Sequence, residues 1–418
     1  MQYLAVRGGK PLRGSIPIHG AKNSVLPLLA ATLLTPERCV ITGCPEISDA
    51  TAATEILRHL GCTVEWRGAS VIVDASQASG NAIPSELMGK MRASVTFLGA
   101  MLSRFGWGRL SAPGGCRLGV RPINYHVAAL EALGVKWDGE SEDWRCRWEA
   151  RFGGEVTLPF PSVGATENLL LASVSVPGVV TVHNAAREPE ITDLCGFLSA
   201  MGAEISGAGT ADLIIRGGKP LHGAVWHVMP DRMETASYLA MAAACGGDVA
   251  LTQTDPMLLI PVLDALRSAG CRIETTGKTI RLLRDRPLRA IGTVSTAPYP
   301  GFPTDAQAPL MAAMLLAEGE TRLIETVFSD RFSHVPELRK FGGAIETDGN
   351  CAIVTGVRRL TAASAEATDL RGGMAAVIAA LCAEGESRIY GLDLIGRGYA
   401  QWIDYLGLLG ADVSLQEE

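Results

Sequence analysis

One hexapeptide is written twice. Arg7-Gly8-Gly9-Lys10-Pro11-Leu12 returns as Arg216-Gly217-Gly218-Lys219-Pro220-Leu221, and a further glycine follows two residues after each copy, Gly14 and Gly223. The offset, 216 − 7 = 209 residues, is half of the 418-residue chain. A shorter repeat runs inside both halves: a helix-like stretch ending in a hydrophobic–Gly step, then a strand-like segment. The step occurs at Leu60-Gly61, Leu133-Gly134, Met201-Gly202, Ala269-Gly270, Phe341-Gly342 and Leu409-Gly410, at intervals of 73, 68, 68, 72 and 68 residues. Six units, three per half, constrain the architecture before any motif does. Two similar domains also meet at a cleft, and small-molecule sites favour such interfaces.

Each unit parses alike. A strand-like segment leads to a first helix rich in Ala, Leu and Met, then a short strand and a second helix that ends at the recurring glycine. The spacing predicts first helices over Asn23–Leu34, Arg92–Phe105, Thr166–Val174, Arg232–Ala244, Asp305–Ala317 and Arg371–Ala383. Second helices are expected near Asp49, Arg121, Glu188, Asp255, Arg331 and Arg397. A glycine just past the last apolar position is the usual residue for the left-handed turn that ends a helix. Segments after it, such as 62–66 and 271–275, alternate in polarity as half-buried strands do. First helices such as Asp305–Ala317 are apolar on nearly all faces, which places them in a domain interior. The expected fold is α/β, with helices inside and sheets outside, three units around a centre, twice.

Composition supports a globular chain of two domains: 47% of residues are hydrophobic and 19% charged. A formal charge of −7 argues against a nucleic-acid-coating surface, although local arginines still allow an anionic substrate. No apolar run approaches a membrane span, and the first residues lack the pattern of a signal peptide. The ten cysteines include no C-x-x-C pair and no histidine cluster, so no metal or other cofactor is expected. Most of these thiols sit in apolar stretches as small hydrophobes, which fits a reducing, cytoplasmic setting.

Several segments can carry chemistry. Arg121 and Arg331 differ by 210 positions, as do Arg187 and Arg397, so both halves place an arginine near the start of corresponding second helices. A helix N-terminus plus a guanidinium suits phosphate or carboxylate; the competing reading is surface arginines paired with nearby acids. In Ser111–Pro122 the glycines and prolines make a loop, and Cys116 lies beside Arg117 and near Arg121. Cationic neighbours lower a thiol pKa and suit it to act as acid or nucleophile; the alternative is an exposed cysteine with no role. Gly20–Ser24 puts Lys22 and Asn23 at a helix mouth, with Pro27 in the tolerant first turn. Tyr299–Gln307 brings Asp305 to the start of a buried helix, either as an N-cap shared with Thr304 or as a base held at a domain edge. Arg92, Arg371 and Arg397 also fall at helix starts.

In this order, Gly20–Asn23, Met91–Ser94, Pro113–Cys116, Arg121-Pro122, Ser162–Thr166, Asn184–Glu190, Asp231-Arg232, Phe302–Gln307, His334–Leu338, Asp369–Arg371 and Arg397–Tyr399 resemble the UDP-N-acetylglucosamine 1-carboxyvinyltransferases. These are enolpyruvyl transferases that begin peptidoglycan precursor synthesis. The resemblance covers nearly the whole chain. It implies a two-lobed inside-out α/β barrel of six βαβαββ units, one lobe of residues 22–229 and another of 1–21 plus 230–418. It implies two small-molecule substrates, phosphoenolpyruvate and UDP-N-acetylglucosamine, and neither a nucleic acid, a membrane nor an obligate protein partner.

The resemblance gives the residues roles. Cys116 is the general acid that protonates the CH2 of phosphoenolpyruvate and can form a covalent adduct with it. Asp305 contacts the sugar 3′-hydroxyl as base. Lys22, Asn23, Arg121 and Arg397 hold the phosphate or carboxylate of phosphoenolpyruvate, Arg397 as a catalytic residue with Cys116 and Asp305, and Arg371 assists near the reaction centre. Arg92, Arg121, Pro122, Ile123, Asn124, Tyr125, Ser162, Val163, Gly164, Asp305 and Val327 line the nucleotide-sugar site. Arg331 and Arg371 support the centre, and 112–121 is a lid. Three positions depart from the family pattern: Leu394 and Gly396 around Arg397, Asn124 where an acid is common, and Phe160 where some members carry a basic residue. They leave open a diverged paralogue, either an enolpyruvyl transferase for another acceptor or a silent UDP-sugar-binding regulator.

Overall fold

The computed structural model describes residues 2–80, 82–111, 123–138 and 143–418, and only the backbone of Arg92 and Asp143. The chain divides into two compact units: a first of residues 20–111 and 123–229, and a second of residues 2–19 and 230–418.

The first unit is built on helices α1 (Lys22–Ala31), α2 (Phe97–Phe105) and α3 (Val163–Ser173). The second is built on α4 (Arg232–Cys245), α5 (Gln307–Met314) and α6 (Leu370–Cys382). In the second unit these three helices pack on one another pairwise. Every residue of α5 is buried, and in α6 all but Cys382. A helix with no polar face has only the interior to occupy. In both units the helices are the core and the sheets lie outside them, as in an inside-out α/β barrel.

Among the described residues there are six four-stranded sheets, three in each unit. All six share one pattern: the first strand pairs in parallel with the second, and the other two pairings are antiparallel. Leu12–Pro17, Gly247–Thr252, Thr279–Arg284 and Arg272–Thr276 follow it in the second unit. Val225–His227, Cys39–Thr42, Ser70–Asp74 and Thr63–Arg67 follow it in the first. The glycines of the six hydrophobic–Gly steps all have left-handed backbone, with φ of 94°, 96°, 101°, 98°, 85° and 82° in chain order, the conformation that only glycine adopts without strain.

The repeated hexapeptide closes each ring of three sheets. Strand Gln2–Arg7 belongs to the third sheet of the second unit, and Leu12–Pro17 to its first. Strand Asp212–Gly217 belongs to the third sheet of the first unit, and Val225–His227 to its first. Each link runs over the C-terminal end of a buried helix. Gly9 N–H donates to the Leu381 carbonyl at 2.9 Å, and Gly218 N–H to the Val174 carbonyl at 3.0 Å. A Cβ on Gly8 would lie 2.4 Å from the Ala380 and Ala383 oxygens, and one on Gly217 2.2 Å from the Ser173 oxygen. The double glycine is therefore a packing and hydrogen-bonding requirement.

Local expectations are adjusted at four places. Helix α1 begins at Lys22, so Pro27 is its sixth residue and not in its first turn. There the proline removes the N–H that would bond the Asn23 carbonyl. The helix near Arg331 runs Val335–Lys340, starting four residues later. Arg397 is the C-cap of the short helix Leu392–Gly396, ahead of Trp402–Leu408, so it does not stand at a helix N-terminus. The helix near Arg187 starts at Pro189, with Glu188 as N-cap and Arg187 exposed.

Candidate active site

In the second unit a carboxylate lies at the N-terminal ends of the buried helices. Thr304–Ala306 forms a 3-10 turn leading into α5, and no side chain caps it. Asp305 is not an N-cap. Arg331 Nη2 donates to its Oδ1 at 2.7 Å, and Arg371 Nε to its Oδ2 at 3.3 Å. The two guanidinium side chains are 3% and 1% exposed, against 26% for Asp305. The Asp305 side chain thus keeps part of its surface exposed while both cations are buried. Charge-assisted bonds to two fixed donors set its orientation.

The surrounding shell fixes those arginines. Arg331 Nη2 also donates to the Thr304 carbonyl at 3.3 Å, and its guanidinium lies 5.8 Å from the Phe328 ring centroid. Arg371 lies over the Tyr399 ring at 5.0 Å, and Tyr399 Oη is 2.7 Å from Ser237 Oγ on α4. Burial works against the charge on Arg371, but Tyr399, Asp305 and Asp231 outweigh it, so its pKa lies above the ordinary guanidinium value. Asp369 caps α6 by accepting from the Arg371 and Gly372 N–H groups at 2.8 and 3.1 Å. Asp231 caps α4 through Met233 and Glu234. Buried Glu325 ties Thr304 to the next strand's end: it accepts from Thr304 Oγ1, from Val327 N–H at 2.8 Å and from Phe328 N–H. His334, fully buried beside Asp369 and Arg331, is driven down to about 4 by loss of solvent and is neutral at physiological pH.

In the first unit Lys22, the first residue of α1, places Nζ 2.9 Å from Asp49 Oδ2, at the start of helix Ser48–His59. Both side chains are nearly buried, and Asn23 beside them is exposed. Gly20 is explained by packing, since a Cβ there would meet the Gly43 carbonyl oxygen at 2.0 Å. On α3, Glu167 accepts from Thr96 Oγ1 at 3.0 Å. Desolvation, with Glu190 and Glu188 nearby, pushes its carboxyl up to about 8. A second patch joins the chain after residue 122 to the start of α3. Ile123 is buried, Asn124 opens the helix Asn124–Glu131, and the Tyr125 ring stacks on Phe160 at 6.5 Å. Ser162 caps α3 through Ala165 N–H. A Cβ on Gly164 would meet His126 Cε1 at 2.9 Å, and His126 Nδ1 lies 2.7 Å from Asn168 Nδ2.

The structure therefore unites Asp305 with Arg331 and Arg371, and Ile123–Tyr125 with Ser162–Gly164. Val327 is half-buried on the Glu325 turn, and Arg397 is half-buried after a helix that packs on α6. Cys116, Arg121 and Pro122, and the side chain of Arg92, lie outside the described residues. Sequence reasoning gave no role to Asp49, Glu325, His334 and Tyr399. The segment His334–Leu338 had marked His334, whereas nothing local marks Glu325. Among the described residues no group of His, Cys, Asp or Glu could hold a metal ion, and no helix is long and apolar enough to cross a membrane.

The fold is that of the enolpyruvyl transferases. The crystal structure of the enolpyruvyl transferase NikO from Streptomyces tendae superposes with a TM-score of 0.90 at 25% identity, covering 99% of each chain. EPSP synthase from Acinetobacter baumannii superposes at 0.76 over the whole of both chains at 19% identity, a likeness of fold. Residues 6–406 match the family model of EPSP synthase (3-phosphoshikimate 1-carboxyvinyltransferase), and the chain belongs to that family. Within it, a UDP-N-acetylglucosamine 1-carboxyvinyltransferase of Novosphingobium aromaticivorans is 44% identical over 99% of both chains. A UDP-N-acetylglucosamine 1-carboxyvinyltransferase 2 of Caldanaerobacter subterraneus subsp. tengcongensis is 40% identical over the same share.

Proposed function

We propose that this protein transfers the enolpyruvyl group of phosphoenolpyruvate to the 3′-hydroxyl of UDP-N-acetylglucosamine and releases phosphate. This is the first committed step of peptidoglycan precursor synthesis, carried out in the cytoplasm and serving cell-wall growth and division. The observation that carries the reading is the 44% identity, over nearly all of both chains, to a protein of that name. The setting of Asp305 supports it: a partly exposed carboxylate, held by buried guanidinium groups, is suited to take a proton from a sugar hydroxyl.

In this reading Cys116 gives a proton to the CH2 carbon of phosphoenolpyruvate while the 3′-oxygen attacks C2 and Asp305 accepts the hydroxyl proton. The tetrahedral intermediate then loses a proton from the new methyl group and expels phosphate. Lys22, Asn23, Arg121 and Arg397 hold the phosphate and carboxylate, and fixed cations of this kind stabilise charge as the phosphate leaves. Arg92, Arg121–Tyr125, Ser162–Gly164 and Val327 contact the nucleotide sugar, and Arg331 and Arg371 position Asp305. Closing of 112–121 over the substrates excludes water. Placed proton transfers of this kind are each worth roughly 10²–10⁴ in rate.

The test is phosphate release with both substrates, with each alone, and with shikimate 3-phosphate as competing acceptor. Release only with UDP-N-acetylglucosamine, lost in Cys116→Ala, is expected. Release with another acceptor, or none at all, refutes the reading in favour of a diverged paralogue. Alkylation of Cys116 by fosfomycin, read by mass spectrometry, is the matching chemical test.

A further inference from the structure

Two of the three inner helices of the second unit end in cysteine. Cys245 is the last residue of α4 and Cys382 the last of α6, and their sulfurs are 3.6 Å apart. Neither is fully buried, in contrast to Cys39, Cys44, Cys62, Cys146, Cys195 and Cys271. Burial pushes the thiols of Cys44, Cys62, Cys146 and Cys195 up to about 12, so these behave as inert hydrophobes. The helices of the first unit end at Ala31, Phe105 and Ser173, so the pairing is particular to one unit. A guanidinium stands beside it: Arg284 Nη2 donates to the Ala244 carbonyl at 2.9 Å, and Arg284 acts electrostatically on Cys245. The pair is also remote from Asp305 within the unit. Arg371 and Cys382 occupy opposite ends of α6, eleven residues and about 17 Å apart along the axis.

We propose that Cys245 and Cys382 form an oxidisable dithiol that closes to a disulfide on exposure to a low-molecular-weight disulfide such as glutathione disulfide, stapling the first and third repeats of the second unit. The hydrogen bond to Cys382, together with burial, keeps the Cys245 thiol protonated, so Cys382 makes the first attack. Its thiolate displaces one glutathione thiolate and leaves a mixed disulfide. Cys245 then gives up its proton and attacks the Cys382 sulfur, expelling the second glutathione. Two protein thiols and one glutathione disulfide become one protein disulfide and two glutathione thiols, so electrons and protons balance. The link joins residues 137 apart in the chain, and constraining so long a segment stabilises the folded unit.

The reduced full-length protein is incubated with glutathione disulfide, blocked with N-ethylmaleimide, digested and mapped by mass spectrometry. A peptide pair joined through Cys245 and Cys382, two hydrogens lighter than the free thiols and released by dithiothreitol, is expected. The unfolding midpoint of the oxidised protein rises by about 5 °C or more, and this rise is absent in Cys245→Ser and Cys382→Ser. Separate glutathione adducts without a link, no reaction at either thiol, or a link that leaves the midpoint unchanged or lower each overturns the proposal. None of these readouts involves substrate turnover, so they stand or fall independently of the catalytic reading.

Discussion

Replacing Asp305 by alanine and by asparagine separates its structural role from its chemical one. Alanine removes the carboxylate and leaves the guanidinium groups of Arg331 and Arg371, 3% and 1% exposed, without it. Removing one partner of a buried ion pair costs about 3–5 kcal/mol. Two features place this case near the low end. Asp305 is 26% exposed, so water already screens part of the attraction. Each arginine also keeps another contact, Arg331 the Thr304 carbonyl and Arg371 the Tyr399 ring. A loss of about 3 kcal/mol lowers the melting point of a unit this size by about 6–12 °C. Asparagine keeps an acceptor for Arg331 and should cost about 1–2 kcal/mol, yet it cannot take a proton. Steady-state phosphate release should then show kcat down by about 10²–10⁴ with KM little changed, alongside calorimetry of both variants. An asparagine variant with kcat within tenfold of the native value refutes the assignment of the base. An alanine variant melting within about 2 °C of the native protein refutes the claim that the arginines depend on this carboxylate.

Other outcomes follow from the same geometry. Lys22→Met takes the paired ammonium away from the buried Asp49 carboxylate and should lower stability by about 3 kcal/mol in denaturant titration, whereas Lys22→Met combined with Asp49→Leu recovers much of the loss. Glu167 has a folded pKa near 8, raised from 4.5, so its contribution is full below the lower value and is lost as pH rises toward 8. The melting point of Glu167→Gln should therefore gain on the native protein between pH 5 and 8, and parallel curves would rule out a buried protonated carboxyl. Gly8→Ala and Gly217→Ala each drive a Cβ into helix-end carbonyls and should unfold or severely destabilise their unit. Gly9→Ala, with φ of 85° and nothing near its Cβ, should cost only about 1–2 kcal/mol.

Local periodicity made the architecture legible because each repeat reuses the same short-range physics. An all-apolar helix must be internal, as Gln307–Met314 and Leu370–Cys382 are, and a glycine after its successor must turn left-handed, as it does at all six steps. What was not legible depends on residues far apart in sequence. Asp305 reads equally well as a cap from its neighbours, and only Arg331 and Arg371, 26 and 66 positions away, decide otherwise. Glu325 carries no local mark, since its role is to receive N–H groups that the fold delivers. Arg397 was misplaced because Leu392–Gly396 is a five-residue helix, too short to leave a periodic trace. The cysteine pair escaped because a search by spacing cannot find two thiols that meet only when two helices end side by side.

The position of strand Gln2–Arg7 sets an order on biosynthesis. It lies between Glu386–Tyr390 and Asp412–Glu417, so a strand made early is held by two made about 380 residues later. At ordinary elongation rates that wait lasts about 20–80 s. Meanwhile residues 20–229 emerge as one continuous stretch containing every strand of their own sheets and can complete their fold. Strand Gln2–Arg7, with Leu4 and Val6 destined for the interior, remains without these partners until residues 386–417 have been made. Slowing or stalling synthesis near residue 380 therefore prolongs the exposure of this unpaired strand, and that interval is when a chaperone has most to protect.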